Sequence, residues 1–297
     1  MMTSDDYQTA EATGDEWTLW LGDSCERMAE IADESVGLSV YSPPFASLFT
    51  YSPTPRDLGN SKSRAEFFEH YDYIIRENLR ITMPGRIAAV HCQQLTTTKS
   101  MNGVIGVTDF RGDIIRAYLD AGWILHGEVT VDKDPQAQAI RTKAQALMFV
   151  TKNRDSSMTR PALADYLLLF RKPGDNATPI KNDVSNEEWI EWARPVWLDI
   201  KETNTLNARV ARDDADERHI CPLQLDFITR VIRLWSNPGE TVFTPFAGIG
   251  SEVHEAVRLG RYGHGIELKP SYWQTAVNNL KALDDAKNAP ALFPETN

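Results

Sequence analysis

The chain has 297 residues, 42% of them hydrophobic and 25% charged, with a formal net charge of −11. This length and balance suit one large domain or two small ones with a sizeable core, and they exclude a wholly disordered chain, a collagen and a coiled coil. No apolar run nears the ~20 residues of a membrane helix. The acidic N-terminus is neither a signal nor a transit peptide, and Cys25, Cys92 and Cys221 form no disulfide framework, so the expected compartment is a reducing cytoplasm.

Residues 1–16 carry Asp5, Asp6, Glu11, Asp15 and Glu16 and no Lys or Arg, and read as a disordered, solvated tail. Strand-like and helix-like segments then alternate. "WTLWLGD" (17–23) is a strand, "CERMAEIA" (25–32) has helical spacing, and "VGLSVYS" (36–42) is an apolar strand stopped by Pro43-Pro44. Phe67, Phe68, Tyr71, Ile74, Ile75 and Leu79 recur at three and four residues, which predicts an amphipathic helix over 64–81. A buried strand is expected at 84–92, a helix closed by Gly122 at 109–122, and strands at 123–131 and 164–172. "CPLQLDFITRVIRLWS" (221–236) reads as a helix with Pro near its start. "ETVFTPF" (240–246) is a strand, 250–260 a helix after a glycine turn, 261–268 a strand and 271–283 the final helix. Alternation of this kind predicts an α/β fold, doubly wound around a mostly parallel sheet. The stretches 46–63, 132–163 and 173–218 are long for loops, and are expected to be functional or to form a small subdomain.

Charge is unevenly spread. Residues 133–172 hold eight basic side chains (Lys133, Arg141, Lys143, Lys152, Arg154, Arg160, Arg171, Lys172) against three acids. A local excess in an acidic chain suits a surface that faces nucleic acid, the bland alternative being a loop that happens to be basic.

Two motifs carry chemistry. In "FAGIG" (246–250), between a strand and a helix, Gly248 and Gly250 allow a tight turn with a helix N-terminus behind it. Glu267, about seventeen residues beyond Gly250, ends the next strand, where an acid can accept from both hydroxyls of a ribose. Val253 stands where a dinucleotide fingerprint needs its third glycine, which favours a nucleoside cofactor without a pyrophosphate. In "SPPF" (42–45), two prolines remove N–H donors and leave the Ser42 and Pro43 carbonyls as acceptors, with the Ser42 hydroxyl and the Phe45 ring beside them. Alone, the tetrapeptide reads as a capped strand end. Paired with a nucleoside site, it reads as a holder for a planar base by its exocyclic amine.

Other residues have simpler readings. His91-Cys92, His219 and Cys221 lack metal-ligand spacing, so no metal is expected. Trp189, Trp192 and Trp197 suit a small apolar core, and Cys25 a buried position in a helix. A nucleophilic role for Ser42 is not expected, because nothing nearby in sequence supplies a partnered histidine.

Across residues 19–281 the chain resembles the amino-group DNA methyltransferases that use S-adenosylmethionine, the N4-cytosine/N6-adenine group. The resemblance rests on "LWLGDSCERMAEIADESVGLSVYSPPF", "LRITMPGRIAAVHC" and "HICPLQLDFITRVIRLWSNPGETVFTPFAGIGSEVHEAVRLGRYGHGIEL". The tetrapeptide precedes the glycine motif, which matches the family's β order with target recognition between the halves. The resemblance implies a Rossmann-like methyltransferase sheet and double-stranded DNA as partner. It leaves a homodimer and a restriction partner open. It implies a catalytic half over 17–172 with a basic DNA-facing loop at 133–163, a target-recognition segment over 173–218, a cofactor half over 219–283 and a loose tail over 284–297. Ser42, Pro43, Pro44 and Phe45 would hold the target base. Phe246, Gly248 and Gly250 would line the cofactor's methionine part with Thr244 and Ser251 beside them, Glu267 its ribose, Asp23 its adenine end, and Pro222 would close over the methionine. Arg141, Lys143, Lys152 and Arg154 would meet DNA phosphates. Two positions depart from the family: Thr244 stands where an acid is usual, so the cofactor's ammonium needs another anchor, and Cys221-Pro222 replaces Lys-Pro. A serine before Pro-Pro leans toward N4-cytosine, with N6-adenine as the alternative. A catalytically silent DNA- or nucleoside-binding module, and an RNA or small-molecule amine methyltransferase, are the readings from other classes.

Overall fold

The computed structural model describes residues 8–44, 58, 61, 63–97, 103–181, 183–206 and 222–288. Strands β1 (Ala10–Thr13) and β2 (Trp17–Leu21) are followed by α1 (Ser24–Arg27), β3 (Val36–Tyr41), α2 (Arg64–Ile81) and β4 (Thr82–Gln93). Next come β5 (Leu95–Thr97), β6 (Gly106–Thr108), α3 (Phe110–Asp120) and β7 (Ile124–Val131). Helices α4 (Pro135–Thr142) and α5 (Phe149–Arg154) lead to β8 (Asp165–Arg171), α6 (Asn186–Trp192) and β9 (Val196–Trp197). The chain closes with α7 (Leu225–Trp235), β10 (Thr241–Thr244), α8 (Ser251–Arg258), β11 (Tyr262–Glu267) and α9 (Pro270–Asn288).

Nine strands form one sheet in the order β1-β2-β11-β10-β3-β4-β8-β7-β9. From β2 to β4 every pairing is parallel, while β1, and β8 on both its sides, pair antiparallel. Every residue of β3 is buried, as a strand covered on both faces requires. On β4, Ala88, Val90 and Cys92 pack with α2 and α3 on one face. Ile87 and Ala89 pack with α7 on the other. The period of two that makes this division also turns His91 toward α7, where its ring meets Phe227 edge-on at 5.5 Å. The doubly wound, mostly parallel α/β architecture expected from the alternation is therefore present.

Several boundaries differ from expectation. The acidic tail is ordered from Ala10, because β1 pairs with β2 and Trp17 Nε1 donates to Asp284 Oδ2 at 2.7 Å. That contact lies on α9, which runs on through 284–288 instead of ending in a loose tail. The basic stretch is not irregular: Asp134 caps α4 through the Gln136 and Ala137 amides, and α5 follows. Helix α7 starts at Leu225, leaving Pro222 in the approach to it. The described part of 173–218 adds β9 to the sheet edge beside β7. Trp197 is buried there against Phe227, and Trp192 packs against the same core while Trp189 is exposed. Residues 1–7, 207–221 and 289–297 lie outside the described residues, with His219 and Cys221 among them.

Gly250 opens α8 with φ +88°, and a Cβ there would stand 3.0 Å from Ala276 Cβ on α9. A left-handed backbone costs a non-glycine residue roughly 1–2 kcal/mol, and a branched side chain must also displace α9. Gly250→Val is expected to lower the thermal unfolding midpoint by on the order of 5 °C. Scanning calorimetry checks this, and an unchanged midpoint would show that the turn does not need glycine.

Candidate active site

Strand β10 pairs in parallel with β3 through Val242–Leu38 and Phe243–Ser39. The chain leaves β3 toward β4 on one side and β10 toward β11 on the other, so the strand order reverses between them. A crevice at the carboxyl ends of the strands is the ligand site of such sheets. Here it is a cavity of about 1260 Å³, larger than the ~300–1,000 Å³ of a one-ligand pocket. Ser42, Pro43 and Pro44 line it from the end of β3. Phe246, Gly248 and Ser251 line it after β10, with Asp23, Pro222 and Glu267 on the same wall. Two motifs about 200 residues apart thus face one space. Phe45 lies outside the described residues.

The glycine side is built around Glu267. Its Oε2 accepts from the Gly248 N–H and its Oε1 from the Lys269 N–H, both at 2.8 Å. The two amides orient the carboxylate. Gly248 has φ +54° and nothing within 4 Å of where a Cβ would stand. Among the described residues, the buried Ser251 Oγ has no hydrogen-bond partner. An open backbone, an orphan hydroxyl and an oriented carboxylate at a helix N-terminus fit a polar nucleoside-bearing ligand. Ser24 Oγ donates to the Pro245 carbonyl at 2.5 Å, tying the β2 and β10 turns together. Asp23 Oδ1 accepts from the Cys25 N–H at 2.9 Å and caps α1. Thr244 is fully buried, and its Oγ1 accepts from the Phe246 N–H at 3.4 Å, so it serves its own turn. Gly250 is not on the wall; its missing side chain makes room for α9 instead of for a ligand.

The wall also holds a carboxyl that the motifs did not indicate. Glu252, 5% exposed in the first turn of α8, lines the cavity. Burial pushes its carboxyl up to about 8, against the pull of its own backbone N–H, and the Glu267 charge adds to the rise.

On the β3 side, Ser42 Oγ and His91 Nδ1 are 3.0 Å apart. His91 Nε2 stands 3.1 Å from Asp165 Oδ2, and Lys133 Nζ lies 2.6 Å from the same oxygen. Gln93 Nε2 donates to Asp165 Oδ1 at 2.9 Å. Burial alone would raise the Asp165 carboxyl, but His91 and Lys133 outweigh it and hold it below the ordinary value. Ser42 therefore has a partnered histidine, contrary to the sequence expectation. Residues 42, 91 and 165 meet because β3, β4 and β8 are neighbours and Gln93 pairs with Asp165 across β4 and β8. The available signal was a polar residue at the end of each apolar strand.

The basic segment divides. Lys133 is 6% exposed and committed to Asp165. Lys172 Nζ donates to the Thr82 carbonyl at 2.7 Å, so neither is a surface charge for DNA. Arg141, Lys143, Lys152 and Arg154 are exposed, and Arg141 and Lys143 line the mouth of the cavity. Arg141 pairs with Glu202 at 3.0 Å. Among the described residues no cluster of His, Cys, Asp or Glu could hold a metal ion, and no helix is long and apolar enough to cross a membrane.

The chain is similar to known proteins in sequence and in fold. Type II methyltransferase M.MjaI of Methanocaldococcus jannaschii is 25% identical over 276 residues, 82% of this chain and 85% of that one. Type II methyltransferase M.BglI of Bacillus subtilis is 31% identical over 135 residues, 45% of this chain but only 35% of its own length. In fold, the chain is similar to TTHA0409 of Thermus thermophilus in complex with S-adenosyl-L-methionine, with a TM-score of 0.68 and 23% identity over 89% of this chain and 92% of that one. It is also similar to the cytosine-N4-specific PvuII DNA methyltransferase, with a TM-score of 0.66 and 17% identity over 95% of each chain. The DNA methylase family model, of the N6/N4 amino type, matches residues 36–278, and the chain belongs to that family.

Proposed function

We propose that this DNA methyltransferase transfers a methyl group from S-adenosylmethionine to the N4 amine of a cytosine flipped out of duplex DNA. The observation that carries the reading is the convergence of Ser42 and the Gly248–Glu267 turn on one cavity with room for two ligands. S-adenosylmethionine supplies a methyl group made electrophilic by its sulfonium. Glu267 holds the ribose hydroxyls, Asp23 the adenine end, and Phe246, Ser251 and Pro222 border the methionine part. The Ser42 hydroxyl and the Pro43 carbonyl accept from the target amine, which draws its lone pair out of conjugation and toward the methyl group. Pro44 stiffens the turn, and Phe45 stacks on the base. Arg141, Lys143, Lys152 and Arg154 contact phosphates. Most of the acceleration is positioning. Ser42, and the cytosine-N4 specificity of the PvuII enzyme of similar fold, support cytosine over adenine. Mass spectrometry of nucleosides from treated, methylation-free DNA is expected to show N4-methylcytosine; N6-methyladenine as sole product would reverse the choice of base, and no methylated nucleoside would overturn the reading.

Thr244 leaves the cofactor's cation without a carboxylate at that position, and Glu252 supplies one on the same wall. With its carboxyl raised to about 8, Glu252 is protonated near neutrality until a cation arrives. Binding then ionises it and releases a proton. At about pH 6.5 the cofactor's own amine is fully charged, so calorimetry in buffers of different ionisation enthalpy reads this release directly. Glu252→Gln is expected to abolish it and to weaken binding about 10-fold, the effect of one weakened charge-assisted contact. Equal proton release in the variant would place the cation elsewhere.

A further inference from the structure

We infer that His91, held by Asp165 and Lys133, fixes the Ser42 hydroxyl as an acceptor toward the target amine and takes the proton which that amine must lose. This rests on Ser42 as the residue that meets the amine. The ionised Asp165 carboxylate 3.1 Å from Nε2, though off the line of a hydrogen bond, favours the tautomer with the proton on that nitrogen. Nδ1 of the neutral imidazole is then a lone pair, and the Ser42 hydroxyl 3.0 Å away donates to it. A serine hydroxyl has one hydrogen and two lone pairs. With the hydrogen committed to His91, only lone pairs face the cavity, and Ser42 meets an N–H as an acceptor.

The same chain accounts for the proton. The amine nitrogen forms its bond to the methyl carbon as the carbon–sulfur bond breaks, sulfur keeping the bonding pair. The nitrogen now has one substituent too many and the positive charge. One of its protons passes to Ser42 Oγ while the Ser42 proton passes to His91 Nδ1, which leaves a neutral methylated amine, an intact serine and an imidazolium. The charge that entered on sulfur ends beside the Asp165 carboxylate. His91 lines the cavity, so the proton can leave to water when the product does. Among the described residues, charged groups facing the ring include Asp165 on β8 and Lys133 after β7; β3 offers Ser42 and α7 the Phe227 ring. Lys133 keeps Asp165 ionised, and with it the tautomer.

The test uses the full chain, tritium-labelled S-adenosylmethionine and methylation-free genomic DNA at saturation. His91→Ala is expected to lower turnover at least ~100-fold, the usual worth of a positioned proton acceptor, with cofactor affinity by calorimetry within about twofold of wild type. Imidazole should restore activity in proportion to its neutral form. His91→Asn keeps an acceptor near Nδ1 but cannot take a proton, so its turnover should stay near that of His91→Ala. His91→Ala turnover close to wild type while Ser42→Ala is inactive would overturn the relay alone. Near-normal turnover in Ser42→Ala would instead remove the reading on which it rests. An inactive His91→Ala that binds cofactor and ignores imidazole, with turnover restored in His91→Asn, would reduce His91 to packing and overturn the inference.

Discussion

The parallel pairing of β10 with β3 is the constraint on which the rest of the molecule depends. Parallel neighbours point their carboxyl ends the same way, and crossover helices must leave for opposite faces when the strand order reverses. That geometry leaves a gap no side chain from either strand can fill. The chain places its glycine turn on one lip and its proline-stiffened turn on the other. The order of the motifs along the sequence does not matter to this arrangement. Strand β2 and strand β11 then bring Asp23 and Glu267 to the glycine lip, and strands β4 and β8 bring His91 and Asp165 to the proline lip.

The two lips differ in how they handle charge. On the glycine side, Glu267 is held by backbone amides, and among the described residues no cation pairs with the buried Glu252 carboxyl. A ligand that carries its own cation satisfies it. On the proline side, Asp165 is already matched by Lys133 and His91. This second group is neutral overall while the imidazole is neutral and has capacity for one proton. Against buried walls such differences are worth more than in solvent. A reaction that brings in a cation at one lip and leaves a proton at the other uses both.

Much of this was legible in the sequence, and the limits are physical. The strands and helices that build the sheet were readable because burial imposes a period, as in α2 and β3. The glycine turn and Glu267 were readable because they are local. The ordered N-terminal hairpin was not, since β1 sits in an acidic stretch although it holds one acid, Glu11, and its pairing with β2 outweighs composition. Lys133 was counted as a surface charge because a sequence cannot show that Asp165, on another strand, neutralises it. The histidine partner of Ser42 was missed for the same reason: its contact depends on register across three strands. Gly250 was assigned to ligand space, whereas the helix packed against it sets the requirement.

A crystal structure of the full chain with S-adenosylmethionine tests the central claim most directly. The account predicts the ribose hydroxyls on Glu267, the ammonium facing Glu252, and the sulfonium methyl directed across the cavity toward Ser42. A cofactor seated with its ribose away from Glu267, or with its methyl turned from Ser42, would contradict the claim that the two lips form one active site.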